Sequence, residues 1–321
     1  MKMSNPKAAL NKVDLCMIVD TTGSMGPFIK VARKELLGMI HSLSEMADID
    51  VRVGLVEYRD HPPHEKTFVT RRYQFQKDLS KLQESVDALR ARGGGGDGPE
   101  AVYQGIHEAC NSMRWRRYSL RFGFLVGDAP PHAYGYWLTR KSGLYTPISR
   151  DHWPYNCPSG HDLDSICVQA ERVRMRMYTL SLGKREDTAS SFQYMAWGTG
   201  GEHFAVDGSE NAIDRIRDVL EGEFDNIRFD RRVLRKVREF KSIQIEKISE
   251  SLQESRIQVA ASVARLLKIF VSCLSSPNTS PSPMAVAICA GPLPPAIPAT
   301  SPSQSYGPAN SPTPITPSPQ V

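Results

Sequence analysis

The chain has 321 residues, of which 40% are hydrophobic and 23% are charged, and its formal net charge is +5. This length and composition suit one large domain with extensions, and the modest charge argues against a nucleic-acid partner. No run approaches the ~18 apolar residues of a membrane span, so we expect no transmembrane segment. The six cysteines form no CxxC pair, and residues 1–11 lack the apolar core of a signal peptide. These features predict reduced thiols and a cytoplasmic protein, or an extracellular one if a leader is missing.

Apolar runs alternate with amphipathic stretches over residues 15–224. In chain order the pattern predicts a strand at 15–19, a helix at 28–43, strands at 51–58 and 67–75, helices at 79–89 and 100–113, a strand at 121–126, a helix at 162–174, a strand at 177–182, a helix at 190–197, a strand at 202–206 and a helix at 210–224. This alternation is typical of an α/β fold with a doubly wound, mostly parallel sheet flanked by helices. Such sheets bind ligands beyond the carboxyl ends of their strands.

The remaining chain divides into an extension and a tail. Residues 227–272 carry apolar side chains at mostly helical spacings and begin with a basic face, which predicts a solvated amphipathic helix. A coiled-coil or membrane-surface contact, and with it self-association, is the alternative. From Ser275 onward the chain has no charged residue and holds more than half of its 23 prolines, so we expect a disordered tail. The predicted segments are an arm at 1–12, the α/β domain at 13–226, the helical extension at 227–272 and the Pro/Ser/Thr-rich tail at 273–321.

The first predicted strand runs directly into three oxygen-bearing side chains. Asp20, Thr22 and Ser24 stand at alternate positions, and alternate side chains of an extended segment project to the same side. Three such side chains can converge on a hard divalent cation such as Mg²⁺, which prefers oxygen ligands. Alternatively, Thr22 or Ser24 caps the helix that begins near Pro27.

Two later segments place further acidic side chains after turns or strands. The sequence GGGGDGPE occupies residues 93–100, and LVGDAPPH occupies residues 125–132. Together with the motif at Asp20, they resemble the metal-ion-dependent adhesion site of the von Willebrand factor type A domain, and the resemblance covers roughly residues 13–224. The Gly-rich loop that ends in Asp-x-Pro-Glu is similar to that of integrin β-type domains, and the whole pattern looks like the type A module of vwk-type α-kinases. The glycines alone could instead form a flexible turn.

The resemblance implies a set of metal ligands and a rim around them. The implied ligands are Asp20, Thr22, Ser24, Glu100 and Asp128, with Asp97 as a further ligand, a helix cap or a ligand to a second ion. The implied cofactor is Mg²⁺, or Mn²⁺ or Ca²⁺, and the expected ligand rim consists of Gly23, Met25, His132 and Tyr134. Glu100 stands where many type A domains have a threonine. A third carboxylate would make the ion a weaker electrophile toward an incoming carboxylate.

Residues 132–161 form an insert that follows the Asp128 motif and is rich in aromatic residues. His152, Cys157 and His161 could bind zinc, but their spacing matches no familiar zinc motif. The simpler interpretation is a polar, aromatic surface loop with ordinary histidines.

Three functions are compatible with these motifs. By resemblance, the first is a protein-binding module in which an acidic residue of a partner completes the coordination of the bound ion. The second is a metal-dependent hydrolase or phosphotransfer enzyme that uses the same ion, with His132 as base. The third is a scaffold in which the ion is only structural. No nucleophile elbow or kinase signature occurs, so we expect a module that is not an enzyme.

Overall fold

A computed structural model describes residues 10–94, 96–144, 148 and 150–274 of the chain. Its centre is one six-stranded sheet with the strand order β3-β2-β1-β4-β5-β6. The strands are β1 Lys12–Asp20, β2 Asp50–Tyr58, β3 Thr70–Gln76, β4 Leu120–Gly127, β5 Met175–Leu182 and β6 His203–Val206. Only the pairing of β3 with β2 is antiparallel, and the other four pairings are parallel. The predicted doubly wound, mostly parallel sheet is confirmed.

Helices cover both faces of this sheet. In chain order they are α1 Gly26–Met46, α2 Leu79–Ala88, α3 Val102–Asn111, α4 Tyr134–Ser142, α5 Leu163–Arg172, α6 Glu186–Gly198, α7 Ser209–Phe240, α8 Ile245–Leu252 and α9 Arg256–Leu274. The first core joins one face of the sheet to α1, α2 and α7. The second core joins the other face to α3, α4, α5 and α6. None of the described helices is long and apolar enough to cross a membrane.

Strand β1 lies in the middle of the sheet and divides its side chains between the two cores. Leu15, Met17 and Val19 belong to the first core, whereas Cys16 and Ile18 belong to the second. Because a parallel strand covered on both faces is apolar throughout, this strand was recognisable as an uninterrupted apolar run. The run stops at the sheet edge with Asp20, which is buried nevertheless.

The helical extension differs from the predicted single helix. Helix α7 continues without a break across the predicted boundary at residue 226, and α8 and α9 pack back against its second half. A third core shared by these helices contains Leu10, Val233, Leu234, Val237, Ile248, Val259, Val263 and Leu266. Much of the apolar surface that we expected to be available for self-association is therefore buried within the chain. The predicted tail from Ser275 onward lies outside the described residues.

Near the amino ends of the parallel strands, at the opposite end of β1 from Asp20, a buried carboxylate links neighbouring segments. Asp14 is fully buried, pairs with Arg52 and Arg116, and accepts hydrogen bonds from the backbone N–H of Arg116 at 2.6 Å and from Ser119 Oγ at 3.0 Å. Although burial opposes ionisation, these hydrogen bonds and the two guanidinium groups lower the pKa of Asp14. The carboxylate therefore stabilises the fold above the ordinary carboxyl pKa and loses this effect as the pH falls toward its lowered value.

We expect Asp14→Ala to lower the free energy of unfolding by about 3 kcal/mol, because it breaks a buried ion pair. Asp50→Ala is the control, since Asp50 pairs with Arg116 at 2.9 Å but its side chain is 32% exposed. Its cost should stay below about 1 kcal/mol, as for surface ion pairs. Urea denaturation at neutral pH measures both values. Equal costs would show that burial of Asp14 adds nothing.

Candidate functional site

Three segments meet at the carboxyl ends of the central strands. Asp20 ends β1, and Asp128 follows β4, the neighbour of β1 in the sheet. The Gly-rich segment at residues 93–100 lies against the turn after β1, because the N–H of Gly23 donates to the carbonyl of Gly93 at 3.1 Å. The fold therefore brings together the three motifs that the sequence keeps far apart.

The turn after β1 holds the Asp20 carboxylate in place but satisfies only one of its oxygens. Oδ1 accepts hydrogen bonds from the N–H and the Oγ1 of Thr22, each at 2.7 Å. Oδ2 is buried and has no hydrogen-bond partner among the described residues. Neither Thr22 nor Ser24 caps the following helices, because neither helix start has a side-chain capping bond. The capping alternative is therefore wrong.

Glu100 reaches the same place from the other loop. Its N–H donates to the carbonyl of Pro130 at 2.9 Å, so α3 begins only at Val102 and not at Glu100 as predicted. Glu100 is 6% exposed, and its Oε2 is buried without a partner among the described residues. A buried carboxylate oxygen without a donor is costly unless a cation or a proton satisfies it.

Gly94 explains why the loop is rich in glycine. Its φ is +67°, and a Cβ at this position would lie 2.6 Å from Glu100 Oε1 and 2.7 Å from Thr22 Cγ2. The missing side chain thus leaves space for one group from each loop. Two neighbouring glycines have similar roles, since a Cβ at Gly93 would strike Glu65 and one at Gly96 would strike His64. These glycines make room for specific side chains, which a flexible turn alone does not explain.

The electrostatics of this edge favour a cation. Burial raises the pKa of Asp20, and the nearby Asp128 raises it further. Burial also raises the pKa of Glu100, to which Asp20 and Asp60 add. Because carboxylates at one buried place disfavour each other's ionisation, they hold protons at neutral pH unless a positive charge replaces them.

The spacing of the donors limits how an ion could be held. Among the described residues, two groups of three side chains have ligand atoms that all lie within 4.8 Å of one another. Asp20, Glu100 and Asp128 do not form such a group. Ligands on opposite sides of Mg²⁺ are about 4.2 Å apart. In this arrangement, at least one of the three carboxylates would therefore reach a common ion through water, while hydroxyl groups supply the remaining ligands. The oxygen-only donor set fits a hard divalent ion, and we call Asp20, Thr22, Ser24, Glu100 and Asp128 the edge site.

Part of the edge site is accessible to solvent. Gly23 is exposed, as predicted for a rim residue, and the proposed ligand Ser24 is exposed as well. The rim positions predicted for the other three residues are wrong, since Met25 is 1%, His132 is 0% and Tyr134 is 2% exposed. Met25 and Tyr134 pack in the two cores because they lie on helical turns that face the sheet.

His132 is held in a buried ionic network. Its Nε2 lies 2.7 Å from Asp60 Oδ1 and its Nδ1 lies 2.9 Å from Asp151 Oδ1. Burial lowers the pKa of His132, but the hydrogen bonds to Asp151 and Asp60 outweigh it and raise the pKa to about 9. The ring is therefore a buried imidazolium at neutral pH, with both nitrogens occupied.

Comparison with known sequences identifies the fold that carries this site. Residues 14–136 match the family model of the von Willebrand factor A domain. Residues 14–136 therefore lie in a von Willebrand factor A domain. Alpha-protein kinase vwkA of Dictyostelium discoideum is 30% identical over 167 residues, which make up 52% of this chain and 24% of vwkA. The match thus spans about a quarter of the length of that relative.

Solved structures resemble the domain at low sequence identity. The pilus adhesin SpaC of Lactobacillus rhamnosus GG, in an open conformation, has a TM-score of 0.47 and is 17% identical, covering 68% of this chain and 30% of its own. Proximal thread matrix protein 1 of the mussel byssus, with a zinc-occupied MIDAS motif, has a TM-score of 0.43 and is 9% identical, covering 67% of this chain and 46% of its own.

The sequence analysis did not single out three further residues that lie near the edge site. Asp60 follows β2 and is fully buried beside His132. Tyr58 is fully buried, and burial raises the pKa of its hydroxyl, as do the charges of Asp20, Asp128 and Glu100. Arg185 donates from Nη1 to the carbonyl of Gly98 at 2.9 Å. The available signal was position alone, since β2 lies next to β1 and its carboxyl end meets the same edge.

The insert at residues 132–161 is only partly the surface loop that we predicted. His152 and Tyr155 are exposed, but the insert also contains α4, and both Trp137 and Cys157 are buried in the second core. Cys157 Sγ lies 3.5 Å from His61 Nε2, whereas His161 stacks on His107 with ring centroids 4.5 Å apart. Within the described residues, no group of metal-ligating side chains contains Cys157 or His161, so the zinc set that we considered is wrong.

Proposed function

We propose that this domain is a protein-binding module that depends on a divalent cation held at the edge site. Asp20, Thr22, Ser24, Glu100 and Asp128 would hold Mg²⁺, Mn²⁺ or Ca²⁺. When bound, the ion would accept a carboxylate from a partner protein as a further ligand. The observation that carries the proposal is the pair of buried oxygens without hydrogen-bond partners, Asp20 Oδ2 and Glu100 Oε2.

The accessibility of the edge site supports binding of a macromolecule. Asp20 and Glu100 are buried, but Ser24 and Gly23 are exposed beside them. A ligand can therefore approach from solvent on the side of the turn after β1. The match to the von Willebrand factor A domain supports the same role, because the motifs that form the edge site resemble the metal-ion-dependent adhesion site of that domain.

Arg185 is proposed to position the Gly-rich loop from the start of α6. Its Nη2 pairs with Asp187 at 2.8 Å, its Nη1 donates to Gly98, and its side chain is 39% exposed. We expect Arg185→Lys to weaken Mg²⁺ binding about 10-fold, the scale seen when an outer partner of a metal ligand is lost. Arg217→Lys is the control, since Arg217 is also 39% exposed and pairs with an aspartate. A calorimetric titration in which both variants match the wild type would refute this role.

His132 cannot act as the general base that the hydrolase alternative requires. A general base must be unprotonated and within reach of the substrate. His132 is fully buried, protonated at neutral pH and bonded at both nitrogens. The binding module therefore accounts for the arrangement better than acid–base catalysis by His132.

A peptide selection tests the proposed function. A displayed library with a fixed central Asp is panned against the full-length chain in Mg²⁺ and in EDTA, beside a library with a fixed central Asn. The proposal predicts enrichment from the Asp library only, in Mg²⁺ only, with loss of binding in Asp20→Asn. Enrichment that persists in EDTA would instead favour the scaffold hypothesis, and no enrichment in Mg²⁺ would contradict the proposal.

A further inference from the structure

A second group of buried and partly buried side chains lies beside the edge site and includes a histidine. One ligand atom each from Asp60, His64 and Asp97 falls within 4.8 Å of the others. Asp60 and His64 belong to the loop after β2, and Asp97 belongs to the Gly-rich loop. Three ligand atoms within this limit can contact one ion whose bonds are about 2.0–2.2 Å long.

Each member of this group offers a buried polar atom without a partner. The side chain of Asp60 is 0% exposed and that of Asp97 is 4% exposed. Among the described residues, Asp60 Oδ2, Asp97 Oδ1 and His64 Nε2 are buried and make no hydrogen bond. The opposite oxygens are held in place, since Asp60 Oδ1 accepts from the N–H of His61 and Asp97 Oδ2 accepts from the N–H of His152.

The neighbouring His132 shows what an ordinary ion pair looks like in this environment. It approaches Asp60 and Asp151 to 2.7 and 2.9 Å. His64 forms no comparable bond with Asp60 or Asp97, although all three groups face one another. A histidine that only neutralised these carboxylates would be expected to form a hydrogen bond with one of them. The separation of His64 from Asp60 and Asp97 is instead expected if an ion binds between the three side chains.

Gly96 provides a separate structural reason for the placement of His64. A Cβ at Gly96 would lie 1.3 Å from His64 Nδ1, so the Gly-rich loop closes directly over the imidazole ring. The loop therefore makes room for the edge site at Gly94 and for His64 at Gly96.

We propose that Asp60, His64 and Asp97 form a second metal centre, distinct from the edge site and selective for a transition metal such as Zn²⁺. Imidazole nitrogen suits Zn²⁺ and other late first-row ions, whereas the oxygen-only edge site suits Mg²⁺ or Ca²⁺. Three protein ligands leave one position of a four-coordinate zinc for water. Because Asp97 belongs to the same loop as Glu100, zinc at this centre would also fix the loop that carries a ligand of the edge site.

Separate titrations of Zn²⁺ and Mg²⁺ into the full-length chain test this centre. We expect His64→Ala to weaken Zn²⁺ binding at least about 100-fold, since losing only an outer partner of a ligand costs about 10- to 100-fold. Mg²⁺ binding should stay within about 3-fold. The matched control is His152→Ala, because this exposed ring lies 4.9 Å from that of His64 but contributes no ligand atom to the group.

Two further variants distinguish loss of this centre from a folding defect and from loss of the edge site. Asp97→Asn nearly preserves side-chain volume and decides the question if His64→Ala does not fold, as judged by its thermal melt. Asp20→Asn should lose Mg²⁺ and keep Zn²⁺. The centre is refuted if the wild type binds no Zn²⁺, if Zn²⁺ binding survives both substitutions, or if Asp20→Asn alone abolishes it. Zinc binding through His64 in a chain that binds no Mg²⁺ would support this centre and contradict the proposed function.

Discussion

Asp20→Asn is expected to abolish Mg²⁺ binding and to stabilise the metal-free protein at neutral pH. The affinity should fall by two orders of magnitude or more, because the substitution removes a charged ligand at the centre of the edge site. The free energy of unfolding without metal should rise by about 1 kcal/mol or more, since a shift of one pKa unit corresponds to ~1.4 kcal/mol. The gain arises because asparagine occupies the same space and, unlike the carboxyl group of Asp20, does not have to take up a proton when the chain folds at neutral pH.

The sign of this effect follows from the raised pKa of Asp20. Below the ordinary carboxyl pKa, near 4, the group is protonated in both the folded and the unfolded state, and its contribution is fully present. Above that value the unfolded chain ionises while the folded group retains its proton, so stability is lost as the pH rises through the folded pKa. Glu100, whose pKa is also raised by burial, acts in the same direction. Mg²⁺ needs the ionised form, so its affinity should increase over the same range.

Thermal melts between pH 5 and pH 8 measure this prediction. In EDTA the wild type should lose stability as the pH rises, and Asp20→Asn should lose less. Asp218→Asn on α7 is the control, since its side chain is 60% exposed. Identical pH profiles for the wild type and Asp20→Asn would contradict the account of the buried carboxylates.

Gly94→Ala is the second substitution with a large expected effect. Alanine at φ +67° is strained by ~1–2 kcal/mol, and its Cβ would also strike both Glu100 and Thr22. One of these groups must move, so Mg²⁺ affinity should fall on the order of 100-fold. A small displacement of a ligand is sufficient, because Mg²⁺ tolerates little distortion of its octahedral geometry.

The matched control for this substitution is Gly143→Ala. Gly143 has φ +73°, but a Cβ there meets nothing within 4 Å. The backbone strain is therefore the same, while the contact with metal ligands is absent. We expect Gly143→Ala to lose stability and to keep its Mg²⁺ affinity, as measured by urea denaturation and calorimetry. Equal losses of affinity in the two variants would assign the effect to backbone strain alone.

The sheet could be predicted from the sequence because its central strands are buried on both faces. The apolar runs that form β1 and β4 end at Asp20 and just before Asp128, and the parallel sheet brings these two ends to one edge. The same reasoning missed Asp60, since a single acid after a strand carries no distinctive pattern. Its partner His132 lies 72 residues further along the chain, and Asp151, the second partner of His132, lies 19 residues beyond that.

The insert and the extension show where periodicity is insufficient. Aromatic residues at 134 and 137 suggested a surface, yet they pack in the second core because α4 turns them toward it. The apolar spacing in α7, α8 and α9 predicted helices but not their partners, which are one another. Periodicity identifies a buried face, whereas only the tertiary structure identifies what covers it.

An anomalous difference map from crystals of the 321-residue chain grown with Mn²⁺ would show directly whether a divalent cation binds at the edge site. We expect a peak there, in contact with the hydroxyl groups of Thr22 and Ser24 and close to the carboxylates of Asp20 and Glu100. We also expect the peak to disappear in Asp20→Asn. A wild-type map without a peak there, or with manganese only between Asp60, His64 and Asp97, would contradict a divalent cation at the edge of β1.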